Sequence, residues 1–187
     1  RMVDMVQEGF DIGFRIGRPK NSSLITRKIA RSRLLIVAAP AFLEKHGEVN
    51  SLEKLESLPA TIYAAPGLLF DKFGYQDEQG KQQHFQLNVA YKVNDVEMLA
   101  RSAAGGNTLA VVTAQMVQDE IKQGKLVPIM THLNIDDFGT FYAVYPHRDA
   151  PIKTKLFIDT LKSIVGEETP IWEKNIPNFD KMYGRGK

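Results

Sequence analysis

The sequence predicts an α/β fold, on three observations. Residues 10–17, 85–93 and 138–146 alternate apolar and polar side chains at period two, the repeat of a strand. The runs around 34–39 and 108–112 are almost wholly apolar, as in strands covered on both faces by helices. Between these lie segments with apolar residues three and four apart, bounded by capping residues and glycines. Strands that alternate with helices predict a largely parallel sheet.

In chain order, Met2, Val3, Met5 and Val6 share the face of a short opening helix, and Gly9 is placed to stop it. Strand 10–17 sets Phe10, Ile12, Phe14 and Ile16 on one face, expected to pack on a helix layer. Residues 18–23 read as a turn, and 24–40 as two strands broken near Arg31 to Arg33. Pro40 opens a helix that Gly47 closes. Residues 51–59 form another, with Ser51 as N-cap, Leu52, Leu55 and Leu58 as its stripe, and Pro59 as its stop. Residues 60–65 are a strand, 66–84 a hairpin or long loop, and 85–93 a single strand. Asn94 reads as the N-cap of the next helix, with Glu97 at capping-box spacing and Gly105 and Gly106 at its end. Strand 108–112, a helix closed by Gly124, a strand near 125–130 and strand 138–146 follow. The last helix spans about 152–165, with Leu156, Phe157, Leu161, Ile164 and Val165 turned inward. The tail from 167 lacks periodicity and reads as a strap or a disordered end.

The 187 residues suit one large domain or two small lobes, and 43% hydrophobic with 25% charged residues is ordinary for a globule. No apolar run is long enough for a membrane span, and the first residues do not read as a signal peptide. The absence of cysteine excludes disulfides and thiolate chemistry, which allows a cytosolic home. The net charge of +2 is too small to imply that the chain as a whole binds nucleic acid. Residues 1–33 nonetheless carry eight Lys/Arg against three acids, for which a solvated strand edge is a simpler account than a phosphate-binding patch.

No catalytic or metal constellation stands out. The four histidines show no H-x-H or H-E-x-x-H spacing, and there is no nucleophile elbow or phosphate loop. Asp136 and Asp137 are adjacent and read as a surface turn rather than an acid–base pair. No cofactor is implied. A binding protein is the better expectation.

Residues 3–17, "VDMVQEGFDIGFRIG", resemble a segment of the LysR-type transcriptional regulators. The resemblance continues in order through "SSLITRKIA", "LLIVAAPAFLEKHG", "SLEKLESLP", "VNDVEMLARSAAGGNTLAVV", "QGKLVPIM" and "YAVYPHRDAPIKTKLFIDTL", covering about residues 1–165. It implies the C-terminal effector-binding domain, with a type 2 periplasmic-binding-protein-like fold. In that fold two α/β lobes are joined by two crossover strands, and a small molecule lies between them. Residues 1–39 would form part of the first lobe, 40–137 the second, and 138–166 the return to the first, with 167–187 as a tail. The crossings are expected near 38–40 and 134–138, and the last helix is expected to dock on the lobe of strand 10–17. The family's helix-turn-helix domain, its linker helix and the first strand, helix and strand of the effector domain would all precede Arg1, leaving the first lobe incomplete.

On this reading Gly17, Arg18 and Pro19 leave a strand end towards the cleft, where ligands of open α/β sheets sit. Gly17 would allow close backbone approach, and Arg18 would be the cation for a carboxylate; a plain turn is the competing account. Val93, Asn94 and Asp95 end a strand and start a helix, whose free N–H groups suit a carboxylate. Asn94 as a simple cap competes with that role, and Asp95 and Glu97 oppose an anion there. Thr113, after strand 108–112, is a third candidate. The resemblance implies a cytoplasmic regulator rather than an enzyme, a homo-oligomer (dimer or tetramer) with a small-molecule effector, touching DNA only through the helix-turn-helix domain. A free-standing solute-binding protein of the same fold is the alternative, and an enzyme on this scaffold a third for which no nucleophile or base can be named.

Overall fold

The computed structural model describes residues 9–17, 24–146, 151–166 and 168–184. The opening helix and the 18–23 turn lie outside these. The elements are β1 (Gly13–Ile16), β2 (Ile25–Ser32), β3 (Leu34–Ala38), α1 (Pro40–His46), α2 (Leu52–Ser57), β4 (Pro59–Ala65), β5 (Leu68–Leu69), β6 (Lys72–Gln76), β7 (Gln82–Gln86) and β8 (Asn88–Val93). They continue as α3 (Val96–Ala104), β9 (Ala110–Thr113), α4 (Ala114–Lys122), β10 (Val127–Ile129), β11 (Asn134–Ile135), β12 (Gly139–Tyr145), α5 (Ile152–Val165), α6 (Ile171–Lys174) and a 3-10 turn at Phe179–Lys181. The chain divides into unit 1 (Arg1–Ser32 and Phe138–Ile171) and unit 2 (Arg33–Asp137 and Trp172–Lys187).

Unit 1 is built on a three-stranded sheet in the order β1-β12-β2. Both outer strands run antiparallel to β12, with Gly13 opposite Val144 and Ile25 opposite Tyr145. Helix α5 lies on this sheet. The Phe14 and Phe157 rings stand 6.4 Å apart, and Lys153 Nζ is 2.6 Å from Asp11 Oδ2. The helix is turned differently from most of its expected stripe: Val165 is buried as expected, together with Thr154 and Ile158, whereas Leu156, Phe157 and Ile164 are more than half exposed. Apolar residues occupy most of the helix circumference, so spacing alone cannot select the line that a narrow sheet covers. The apolar face of the first strand is likewise only partly covered, with Phe14 46% exposed. Phe157, at 51% exposure, keeps half of its burial, so Phe157→Ala is expected to cost about 1–2 kcal/mol in urea denaturation rather than the larger cost of a fully buried ring.

In unit 2, β3 is buried along its whole length between β9 and β10, which accounts for its unbroken apolar sequence. The chain passes between the units at Ser32 and Arg33, earlier than the expected 38–40, because β3 pairs only with unit 2 strands; it returns at Asp137 and Phe138. The expected largely parallel sheet is corrected as well. Only β4 and β8 pair in parallel, with a parallel bridge from Ala60 to Leu109; every other ladder among the described residues is antiparallel. Alternation of strands with helices does not fix strand direction when hairpins and long returns intervene.

The expected strand 85–93 is two strands, divided at Leu87. β7 closes a hairpin with β6, and β8 joins β4 with a bulge opposite Ala60 and Thr61. Residues 66–84 thus hold β5, which pairs with β4, and most of that hairpin, rather than a long loop. At its turn Asp77 accepts hydrogen bonds from Gln83 Nε2 (3.1 Å) and from the Lys81 and Gln79 N–H groups (2.8 and 3.1 Å), which hold its carboxyl below the usual range.

From Trp172 on, the described part of the tail is a strap on unit 2. Tyr183 is 1% exposed, and its hydroxyl accepts from the Ile36 N–H (3.1 Å) and donates to the Ile129 carbonyl (2.7 Å). Ile36 and Ile129 oppose each other in the β3–β10 ladder, so the phenol is wedged into the sheet margin.

Candidate functional site

Strands β8, β4 and β9 run in one direction. Val93 lies opposite Tyr63 in the β4–β8 pair. β9 is entered through Leu109, whose N–H reaches Pro59 O (3.0 Å) and whose carbonyl accepts from Thr61 N–H (2.9 Å). The carboxyl ends of these strands therefore lie at one end of unit 2, where β8 leads through Asn94 and Asp95 into α3 and β9 runs directly into α4. Carboxyl ends of parallel strands, joined to helix N-termini with spare N–H groups, are where open α/β sheets take ligands. Val93, Asn94, Asp95 and Thr113 share this end, whereas Gly17 belongs to unit 1.

Thr113 is the most informative of them. It pairs with Leu34 of β3 and occupies the N-cap position of α4, yet its side chain makes no capping bond. The residue is 6% exposed, and its hydroxyl is buried without a hydrogen-bond partner. Buried hydroxyls are nearly always paired, and leaving one bare costs about 1–3 kcal/mol. The first turn of α4 carries no acid, so its N–H groups present an uncompensated positive end.

The start of α3 differs. The N-cap is Asp95, not Asn94: Asp95 Oδ1 accepts from Met98 N–H at 2.9 Å. Both residue types cap well, and the helix begins one residue later than the spacing suggested. Glu97 thereby falls at the second helical position, out of capping-box register, and pairs with Arg101 one turn on. Asn94 is exposed, and with Asp95 and Glu97 this terminus is already negative. Asp95→Ala is expected to lower stability by about 1 kcal/mol, and Asn94→Ala to change it by less than about 0.5 kcal/mol, in thermal melts of the two variants.

Gly17 has φ +80°, and its N–H donates to Thr140 O (2.9 Å). A Cβ there would meet no protein atom within 4 Å, so the positive φ by itself already calls for glycine. Arg18 and Pro19 lie outside the described residues. Sequence reasoning missed a hydroxyl cluster where α3 meets β4, in which Thr61 Oγ1 lies 2.7 Å from Ser102 Oγ and 2.8 Å from Thr108 Oγ1. The available signal was three hydroxyl residues inside otherwise apolar runs. No group of acids and histidines suited to a metal occurs among the described residues, and none of their helices is long and apolar enough to cross a membrane.

Residues 1–165 match the family described as LysR substrate binding domain. The chain belongs to this family. Among LysR-type relatives, the HTH-type transcriptional regulator CrgA of Neisseria meningitidis is 26% identical over 165 residues, which are 88% of this chain and 54% of that protein. The HTH-type transcriptional activator AaeR of Escherichia coli is 25% identical over 186 residues, 98% of this chain and 57% of that protein. The chain thus spans about half the length of the curated LysR relatives it matches. The solved regulatory domain of CrgA superposes with a TM-score of 0.71 at 25% identity, covering 86% of this chain and 78% of that one. The virulence activator AphB of Vibrio cholerae gives a TM-score of 0.71 at 23% identity, covering 87% of this chain and 55% of that one. The fold is that of LysR-type regulatory domains, α/β and periplasmic-binding-protein-like.

Proposed function

We propose that this chain is the effector-binding regulatory domain of a LysR-type transcription factor, sensing a small carboxylate and controlling DNA binding by a helix-turn-helix domain outside these residues. The observation that carries the reading is the family match over residues 1–165. The carboxylate rests on Thr113, a buried unpaired hydroxyl at an acid-free helix N-terminus, with Val93, Asn94 and Asp95 at the same end of unit 2. Such a regulator works in the cytoplasm as a homo-oligomer, because paired effector domains set two DNA-binding domains at fixed spacing, and it performs no catalysis.

The test uses the full-length protein. A thermal-shift screen of small carboxylates identifies a ligand, and operator binding is then measured with and without it. The expected result is a carboxylate that raises the midpoint and changes operator affinity. A ligand that is consumed, or that binds without altering operator affinity, overturns the reading.

A further inference from the structure

In unit 1, β2, β12 and α5 form a cleft of about 190 Å³, lined by Arg27, Tyr145, Lys155, Ile158, Asp159 and Lys162. Lys155, Asp159 and Lys162 follow one another along a single face of α5, four and then three residues apart. That spacing would let Asp159 close onto either lysine, yet no ion pair joins it to them, and its charge acts instead on Arg27. Arg27 Nε donates to the Tyr145 hydroxyl at 3.4 Å, a contact that raises the Arg27 pKa through the hydrogen bond first. Tyr145 is 4% exposed and, in accepting that bond, keeps its own proton to donate. The cleft therefore presents a guanidinium, two ammonium groups and a phenol as donors, with a single carboxylate as acceptor.

We propose that this cleft binds a small phosphate monoester, independently of the Thr113 site in unit 2. Three cations against one carboxylate leave a surplus of two positive charges, which a phosphate monoester near −2 neutralises and a monocarboxylate does not. Arg27 offers the planar fork that suits two phosphoryl oxygens, the lysines act as point charges, and Asp159 accepts from a hydroxyl on the ester side. The volume is below the roughly 300–1,000 Å³ of pockets for drug-sized ligands, so it suits a phosphoryl group on a short stub. The cations converge on one cleft rather than spreading along a surface, which favours a metabolite over a nucleic acid backbone.

The experiment is isothermal titration of the full-length protein with glycerol 3-phosphate at fixed ionic strength. Saturable binding at one site per chain is expected. Lys155→Gln and Lys162→Gln should each raise Kd about tenfold, the loss expected for one charge-assisted hydrogen bond, with the unliganded melting midpoint unchanged. Lys153→Gln, on the same helix but paired with Asp11, should leave Kd unchanged. The proposal is overturned if glycerol 3-phosphate does not saturate, if acetate binds as tightly, or if the Lys155 and Lys162 variants bind like wild type. A DNA duplex whose binding depends on these lysines, with no binding of the monoester, would assign the cleft to nucleic acid instead.

Discussion

Tyr183→Ala is expected to destabilise unit 2 by about 3–5 kcal/mol, the range for deleting a large, fully buried aromatic side chain. The phenol fills the margin of the β3–β10 ladder, and its hydroxyl links the Ile36 N–H to the Ile129 carbonyl. Tyr183→Phe separates the two contributions. It keeps the ring and removes the hydroxyl, and should cost about 1–3 kcal/mol, the range for stranding buried main-chain groups. The backbone is committed to this seat as well: the Tyr183 N–H donates to Thr131 O at 2.6 Å, and Tyr183 itself has φ +54°. Urea denaturation of the two variants measures both quantities. A tail merely draped over the surface would give two changes below about 0.5 kcal/mol.

Thr113→Val should change stability and ligand binding in opposite directions. Valine matches threonine in shape and removes a buried hydroxyl that has no partner, so the ligand-free protein should gain about 1 kcal/mol. No capping bond is lost, because the side chain makes none. A carboxylate at a hundred times its Kd adds about 2.7 kcal/mol to the wild type. If Thr113 donates to that carboxylate, the variant should bind about tenfold more weakly, as for loss of one hydrogen bond to a charged group. Thermal melts with and without ligand read both effects. A variant that is less stable without ligand would show that the hydroxyl serves the fold, and unchanged affinity would remove Thr113 from the site.

Local signals were legible where one residue decides the matter. Pro40 opens α1 and Gly47 closes it at φ +79°; Ser51 caps α2, accepting from Lys54 N–H; and the unbroken apolar run of β3 marks burial on both faces. Features that depend on distant partners were not legible. The covered side of α5 is set by three strands gathered from both ends of the chain, and spacing within the helix carries no record of them. Asn94 and Asp95 are equivalent as caps on paper, and only the helix start chooses between them. The role of Tyr183 depends on Ile36, 147 residues earlier. Thr113 was visible as a strand end. Its bare hydroxyl became visible only once β3 lay opposite.

The order β1-β12-β2 has a consequence for biosynthesis. Neither β1 nor β2 pairs with the other; both pair with β12, which begins more than a hundred residues after β2 ends. At translation rates of about 5–20 residues per second, the unit 1 strands wait roughly 5–20 s for their shared partner. Two strands with open edges invite pairing with other chains during such an interval. β2 carries Arg27, Lys28 and Arg31 in its sequence ITRKIARS, and charges of one sign within an unpaired strand discourage that association. The basic character of this strand thus also protects the nascent chain, and neutralising these residues should lower soluble yield before it alters the melting midpoint of the folded protein.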